Sequence, residues 1–248
     1  MTGFGAELRR WRGLRHVSQL DLANLAGTTQ RHVSFMEQGR SRPGRAIVVR
    51  LAEALGLSLR ERNGLLLSAG FAPVFAESSL DSPLLAPVRH ALDAIIEGHM
   101  PYPAVVLRPY GELVAANKAM DVLLHGMPAG GNVLRFLLAP DGLGRDVVNL
   151  AQWGRHIVDN LRARAVRSPD PRLDALVVEL DGLVPAAAPS TDHLGFAVPL
   201  RLRRGDVELS LITTITSFAT ATDVTLSELH LEAFLPADAV TADFLRGS

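Results

Sequence analysis

The sequence predicts two domains, an all-α domain of five helices followed by an α+β domain with an antiparallel sheet. Apolar residues recur with the helical period of 3.6 through the first seventy residues. Beyond residue 84, two short strand-like runs, several helical stretches and three further strand-like runs follow one another.

The net charge also differs between the two predicted domains. Residues 1–70 hold eleven arginines against five acidic residues, a net charge of +6, whereas the remainder carries −7. The basic part is suited to a polyanion such as DNA.

The composition is that of a globular protein, and it excludes several classes of function. Of the 248 residues, 48% are hydrophobic and 21% are charged, so the chain can bury a core. Because the chain has no cysteine, disulfides, thiolate metal sites and cysteine nucleophiles are excluded. No apolar run has the length of a signal peptide or a membrane span. We therefore expect a soluble cytoplasmic protein without a membrane partner.

The first domain, residues 1–70, contains a pattern of helix, tight turn and helix. Helices are predicted over 4–15, 18–26, 30–38, 45–55 and 59–68. Ser18 with Asp21 forms a capping box at the start of the second helix, and Gly27 supplies the left-handed residue that ends it. Thr29 can then cap the third helix. This is the spacing of a helix-turn-helix.

In a helix-turn-helix the second helix enters the major groove, so its outward side chains face the base edges. Glutamine pairs with adenine, arginine with guanine, and phenylalanine contacts the thymine methyl group. Arginines in the following loop neutralise phosphates. Taken alone, each of these residues is typical of a solvent-exposed surface. Together, their spacing along the helix-turn-helix favours DNA binding. The predicted DNA-binding residues are Gln19, Thr29, Gln30, Arg31, Ser34, Phe35, Arg40, Arg42 and Arg45.

Residues 3–70 resemble the helix-turn-helix of the phage-repressor (XRE) family of bacterial transcription regulators. In that family an arginine of the first helix pairs with the glutamate that ends the recognition helix. The resemblance therefore implies a structural ion pair between Arg12 and Glu37. The residues that carry the resemblance to the XRE family are Arg12, Ser18, Gln19, Leu22, Ala23, Gly27, Val33, Glu37, Gly39, Pro43 and the run 51–56.

The second domain is predicted to span residues 84–248, after a linker over 71–83 that contains proline and serine. Its helices are expected near 84–97, 117–124, 145–165 and 171–183. A hairpin is expected from the runs 104–107 and 112–116, and three strands from 194–202, 207–218 and 223–234. This order favours an antiparallel sheet with its helices gathered on one face.

Most of residues 84–240 resemble the ligand-binding domain of MmyB-like regulators. The resemblance is carried by the segment MPYPAVVLRPYGELVAANKAMDVLL and by Trp153, Leu161-Arg162 and Asp170-Pro171. It implies a PAS-like sheet whose pocket accepts a small hydrophobic molecule, with long-chain fatty acids as the leading candidate. The C-terminal run 217–245 fits the closing strands of the same family. No other cofactor is predicted.

A pocket of this kind would be bounded by apolar residues on the sheet and on the helices that cover it. A fatty acid also needs a partner for its carboxylate, and Arg135 and His156 are the predicted anchors. For each apolar residue, ordinary core packing is the competing interpretation. The predicted lining consists of Val106, Asn117, Leu123, Phe136, Trp153, Ile157, Phe196, Leu211 and Phe218.

The motifs of common catalytic and metal sites are missing from the sequence. Neither HExxH nor G-x-S-x-G occurs, and the glycine-rich stretch 126–131 lacks the lysine of a phosphate-binding loop. Glu228, His230 and Glu232 would share one face of a strand, but the alternation with leucines explains this pattern without a metal. We predict neither catalytic nor metal-binding residues.

Three interpretations therefore remain. The favoured one is a ligand-responsive transcription regulator that binds an inverted repeat as a homodimer, because one helix-turn-helix makes few base contacts. In the second, the C-terminal domain only dimerises or binds a protein partner. The third, an enzyme fused to a DNA-binding module, has no catalytic constellation in its favour.

Overall fold

The computed structural model describes residues 3–186, 197–218 and 221–247. The chain divides into two compact units. The first contains the chain as far as Ser79 together with residues 221–227, and the second contains Leu80–Phe218 and the chain from Glu228 onward. The first unit thus includes a short segment from far along the sequence, which the order of the predicted elements does not indicate.

The five helices predicted for the first unit are confirmed. Each ends within two residues of its predicted bounds, and all five contribute to one apolar core. Leu8, Val33 and Leu51, from three different helices, are fully buried there. The helices are α1 (Phe4–Leu14), α2 (Gln19–Leu25), α3 (Gln30–Glu37), α4 (Arg45–Ala54) and α5 (Leu59–Ser68).

Local hydrogen bonds form the turn between α2 and α3. The Ser18 hydroxyl accepts from the backbone N–H of Asp21 at 3.1 Å, and the Thr29 hydroxyl accepts from that of His32 at 3.2 Å. Gly27 has a φ of +61°, the left-handed conformation expected at the end of α2. The Asp21 carboxylate accepts from the Ser18 hydroxyl at 2.6 Å. A reciprocal capping box forms instead at Ser58 and Glu61, at the start of α5.

The backbones of α1 and α3 approach each other closely at Gly5. A Cβ atom at this position would lie 2.6 Å from the carbonyl oxygens of both Met36 and Glu37. Only glycine therefore permits this approach, which positions the C-terminal end of α3 against α1.

The second unit contains the antiparallel sheet of the predicted PAS-like α+β fold. Its strand order is β2-β1-β5-β4-β3, and every neighbouring pair is antiparallel. β1 and β2 form the predicted hairpin, while β5 pairs with both β1 and β4. The strands are β1 (Ala104–Leu107), β2 (Leu113–Ala116), β3 (Leu200–Arg204), β4 (Val207–Ser217) and β5 (His230–Pro236).

Seven further α-helices follow the first unit's five within the described residues. A large apolar core, to which Trp153, Leu180 and Phe234 belong, joins helices to strands. None of the described helices combines the length and the apolar character needed to cross a membrane. The helices are α6 (Ala86–Glu97), α7 (Asp121–Leu124), α8 (Val133–Leu138), α9 (Leu150–Arg167), α10 (Pro171–Leu183), α11 (Val224–Glu228) and α12 (Ala239–Gly247).

Two predictions about the C-terminal elements are wrong. The strand expected over 223–234 begins only at His230, because Asp223 caps the short helix α11 by accepting from the backbone N–H groups of Thr225 and Leu226. The run to residue 245, expected to consist of closing strands, ends instead in α12. The strand expected from 194 is described only from 197, and it starts at Leu200. Short apolar runs do not distinguish strand from helix by periodicity alone.

Candidate nucleic-acid interface and ligand cavity

Helix α3 presents a buried face and an exposed one. Val33, Met36 and Glu37 are buried in the first unit, whereas Gln30 and Arg31 are exposed. The half-buried Phe35 lies beneath Arg31, whose guanidinium carbon is 5.1 Å from the centre of the ring. The half-buried Ser34 accepts a hydrogen bond from Gln38 at 2.9 Å. Four of the predicted base-contacting side chains thus belong to the part of α3 that is not buried.

The remaining predicted contacts lie at the start of α2, at the N-cap of α3, in the loop after α3 and at the start of α4. Gln19 donates its amide N–H to Glu37 at 2.7 Å, which holds the side chain at the start of α2. Thr29 is exposed and caps α3. The backbone N–H of Arg40 donates to the carbonyl of Phe35 at 2.8 Å and so ties the loop to α3. The side chains of Arg40, Arg42 and Arg45 are exposed.

Glu37 is the centre of a buried polar cluster. Its side chain is 1% exposed, and its two oxygens accept from Arg12 at 2.7 and 3.2 Å. Gln19 donates at 2.7 Å, and Arg9 lies 3.6 Å away. Burial alone would raise the pKa of Glu37, but the hydrogen bonds from Arg12 and Gln19 and the nearby positive charges lower it below its ordinary value. Sequence reasoning named the Arg12 partner and missed Gln19 and Arg9.

The second unit contains a cavity of about 490 Å³ with a mostly apolar lining. Its walls come from α8, α9, the turn after β1, and the adjoining parts of β4 and β5. The volume lies within the range of small-molecule sites. The lining residues are Pro109, Leu134, Leu137, Trp153, Ile157, Asn160, Leu161, Ala163, Arg164, Arg167, Ile215, His230 and Glu232.

Of the two arginines that line this cavity, Arg164 is less exposed than Arg167. Its guanidinium donates to the carbonyl oxygen of Pro109, and it makes no ion pair with any carboxylate of the described residues. Burial lowers the pKa of Arg164, and the surrounding acidic groups offset only part of this effect. The guanidinium of an arginine offers donors whose geometry suits a carboxylate.

The neighbouring acidic groups already have partners. The Tyr110 hydroxyl donates to Asp170, which also accepts from the backbone N–H of Arg172 at 2.8 Å. Burial and this bond to Asp170 raise the pKa of Tyr110 to about 12. Glu232 lies 3.4 Å from His230 on β5. The described residues contain no group of three or more side chains that could hold a metal ion.

Of the predicted lining residues, Trp153 and Ile157 border the cavity. Val106, Leu123 and Leu211 are fully buried and do not line it. The Asn117 side chain is committed to the backbone: it accepts from Ala104 at 3.1 Å and donates to the carbonyls of Ile96 and Tyr102. Phe196 lies outside the described residues, and the half-buried Phe218 follows the end of β4.

The two predicted carboxylate anchors lie away from the cavity. Arg135 forms a two-pronged ion pair with Glu179, one arm of which measures 2.8 Å. His156 is exposed on α9. Phe136 borders a separate cleft of about 430 Å³ whose lining includes Asp146 and Arg204, which bond each other.

Arg164 was missed, although the sequence carries a signal for it. Trp153, Ile157, Leu161 and Arg164 recur at intervals of four, four and three residues, which places them on one face of a helix. Arg167 follows three residues later on the same face, and both arginines line the cavity. His156 is one residue away from Ile157 and falls on another face.

Comparison with family models matches both units. Residues 88–247 match the MmyB-like transcription regulator ligand binding domain, and residues 8–62 match a helix-turn-helix family. Both are families of transcription regulators rather than of enzymes. None of the curated proteins matches the chain.

Proposed function

Since the chain belongs to the MmyB-like transcription regulators, with a DNA-binding and a ligand-binding domain, we propose that its ligand is a fatty acid. The observation that supports this is Arg164, a half-buried cation at the wall of a mostly apolar cavity that makes no ion pair with the carboxylates of the described residues. Charge-assisted hydrogen bonds to a carboxylate would satisfy its remaining donors. Trp153, Leu134 and Leu137 offer the apolar surface that a hydrocarbon chain needs.

For DNA, we propose that a homodimer binds an inverted repeat and that Gln30, Arg31, Ser34 and Phe35 face the base edges. The exposed side of α3 carries hydrogen-bond donors and acceptors beside an aromatic ring, a combination suited to the major groove. The exposed side chains of Arg40, Arg42 and Arg45 supply positive charge that suits the phosphates. The ligand changes DNA affinity only to the extent that it binds the DNA-competent and incompetent states unequally.

The ligand is tested with a series of saturated fatty acids and the matching fatty alcohols. The protein's melting temperature should rise more with the acids than with the alcohols, because only a carboxylate pairs with Arg164. Arg164→Gln should remove this difference and weaken acid binding by about 1.5–3 kcal/mol, the contribution of a hydrogen bond to a charged group.

The matched control is Arg162→Gln on the same helix. Arg162 pairs with Asp159 and Asp181 at the surface and does not line the cavity, so acid binding should be unchanged. Equal affinity for acids and alcohols would contradict the role of Arg164. Binding of neither would favour a domain that only dimerises or binds a protein partner.

A further inference from the structure

The chain that follows α5 is held along the first unit by side chains of that helix. The Asn63 side chain accepts from the backbone N–H groups of Val74 and Phe75, at 3.0 and 3.1 Å, and donates to the Phe75 carbonyl at 2.8 Å. Arg60 makes two hydrogen bonds to Glu77, at 3.0 and 2.7 Å. Residues 74–77 are therefore fixed to the DNA-binding helices rather than free of them.

Residues 76–78 are also bound by the segment 221–227 of the same unit. The backbone N–H of Val224 donates to the carbonyl of Ala76 at 2.8 Å, and that of Ser78 donates to Oδ2 of Asp223 at 3.0 Å. Asp223 is 9% exposed and Val224 is fully buried. The other oxygen of Asp223 caps α11, with bonds of 2.9 and 3.3 Å to Thr225 and Leu226. One carboxylate thus joins the chain after α5 to the start of α11.

In sequence, the segment 221–227 lies between two strands that border the cavity. In sequence it connects β4 to β5, and these strands pair from Leu211↔Pro236 to Ser217↔His230. The pair Ile215↔Glu232 lies across the two strands, and both residues line the cavity, as does His230. A ligand in the cavity therefore contacts the end of the strand pair from which this segment emerges.

We propose that segment 221–227 transmits the state of the cavity to the DNA-binding helices, with Asp223 as the positioning residue that holds the chain after α5. Ligand contact with Ile215, His230 and Glu232 shifts the ends of β4 and β5. This shift changes the hydrogen bonds that Asp223 and Val224 make with residues 76–78. The inference deepens the proposed function, on which it rests, by naming the route of regulation.

The test uses Asp223→Asn in the full chain. The asparagine oxygen can keep the cap on Thr225 and Leu226, but an amide nitrogen replaces Oδ2 and faces the N–H of Ser78, donor against donor. Asp206→Asn is the matched control, because it removes the same charge from an exposed turn between β3 and β4.

The readout is amide hydrogen exchange with and without a DNA duplex selected by the wild-type chain from a random library. Because coupling is reciprocal, DNA binding should change exchange at 213–217 and 230–232 in the wild type and in Asp206→Asn. Asp223→Asn should bind the duplex and lose this change. Fatty acid binding should change the DNA affinity of the wild type by at least about fivefold. It should change the DNA affinity of Asp223→Asn by less than about twofold.

An unchanged exchange pattern at both strands in the wild type, or a full response in Asp223→Asn, would overturn the inference. The exchange experiment needs no ligand. A failure of this inference can therefore be distinguished from a failure of the proposal that the ligand is a fatty acid. If no fatty acid binds while the DNA response is lost only in Asp223→Asn, the ligand class is wrong and the route stands. Should Asp223→Asn lose its cooperative unfolding, Ser78→Pro removes the same hydrogen bond from the other side, because proline has no N–H.

Discussion

At the scale of single residues, one carboxylate links the helices of the DNA-binding unit. Glu37, at the end of α3, accepts from Arg12 on α1 and from Gln19 on α2. Because its side chain is 1% exposed, the charge depends on these partners for its stability. The position of α3 therefore depends on a polar cluster as well as on the apolar core.

We predict that Arg12→Ala destabilises the first unit by about 3 kcal/mol, because it leaves Glu37 buried without its bidentate partner. The measurement is the free energy of unfolding by chemical denaturation. The control is Arg10→Ala on the same helix, whose ion pair with Glu7 and contact with the Trp11 ring, 4.8 Å away, should together contribute only about 1 kcal/mol. Equal losses in the two variants would contradict the role of the cluster.

The ligand anchor shows what residue-level prediction misses. Arg135, Arg164 and His156 are all basic residues of the predicted second domain, and composition does not separate them. Arg135 is neutralised by Glu179, which lies 44 residues away in sequence, so its pairing is decided only by the packing of α8 against α10. The sequence places Arg164 on the helical face that lines the cavity. It does not indicate that Arg164 makes no ion pair with the carboxylates of the described residues.

At the scale of elements, the contact between α1 and α3 requires a glycine. We predict that Gly5→Ala destabilises the first unit by about 1–3 kcal/mol, because the added methyl group would lie 2.6 Å from two backbone oxygens that cannot move independently. Denaturation of the purified variant measures the loss.

Gly13→Ala is the matched control, since it lies on the same helix and its added methyl group meets no atom within 4 Å. It should stabilise the protein by about 0.4–1 kcal/mol through the lower entropy of the unfolded chain. Destabilisation by Gly13→Ala equal to that of Gly5→Ala would show that helix α1, rather than its contact with α3, is sensitive to substitution.

The elements also differ in how well their patterns predict them. In the first unit, α2, α3 and α5 have side-chain N-caps, and the bounds of all five helices follow from the sequence within two residues. Residues 223–234 contain a short apolar run that suits either structure. There the cap from Asp223 selects a helical turn before the strand, and its bond to Ser78 joins residues 145 positions apart.

At the scale of the whole molecule, the division of charge leads to a prediction about DNA binding. Arg45→Ala should weaken binding to all DNA sequences alike and reduce the salt slope by about 1, because its exposed side chain at the start of α4 is predicted to contact a phosphate. Titrations of specific and random duplexes at several salt concentrations measure this. A loss confined to one sequence would contradict a phosphate contact.

Arg31→Ala should act differently, since it lies on the exposed face of α3. We predict that specific binding weakens by about 1–3 kcal/mol and that preference relaxes at one base position, with less effect on random DNA. Selection of preferred duplexes from a random library reads out the change. An unaltered preference would remove Arg31 from base recognition.

The sequence by itself determined the two-domain plan, the helix-turn-helix and the α+β class, because periodicity, caps and turn residues act over a few neighbouring positions. Only the tertiary structure decided which arginine beside the cavity makes no ion pair with the described carboxylates and which distant segment binds the chain after α5. Those features depend on contacts between residues tens of positions apart, and such contacts leave no pattern in any local stretch of sequence.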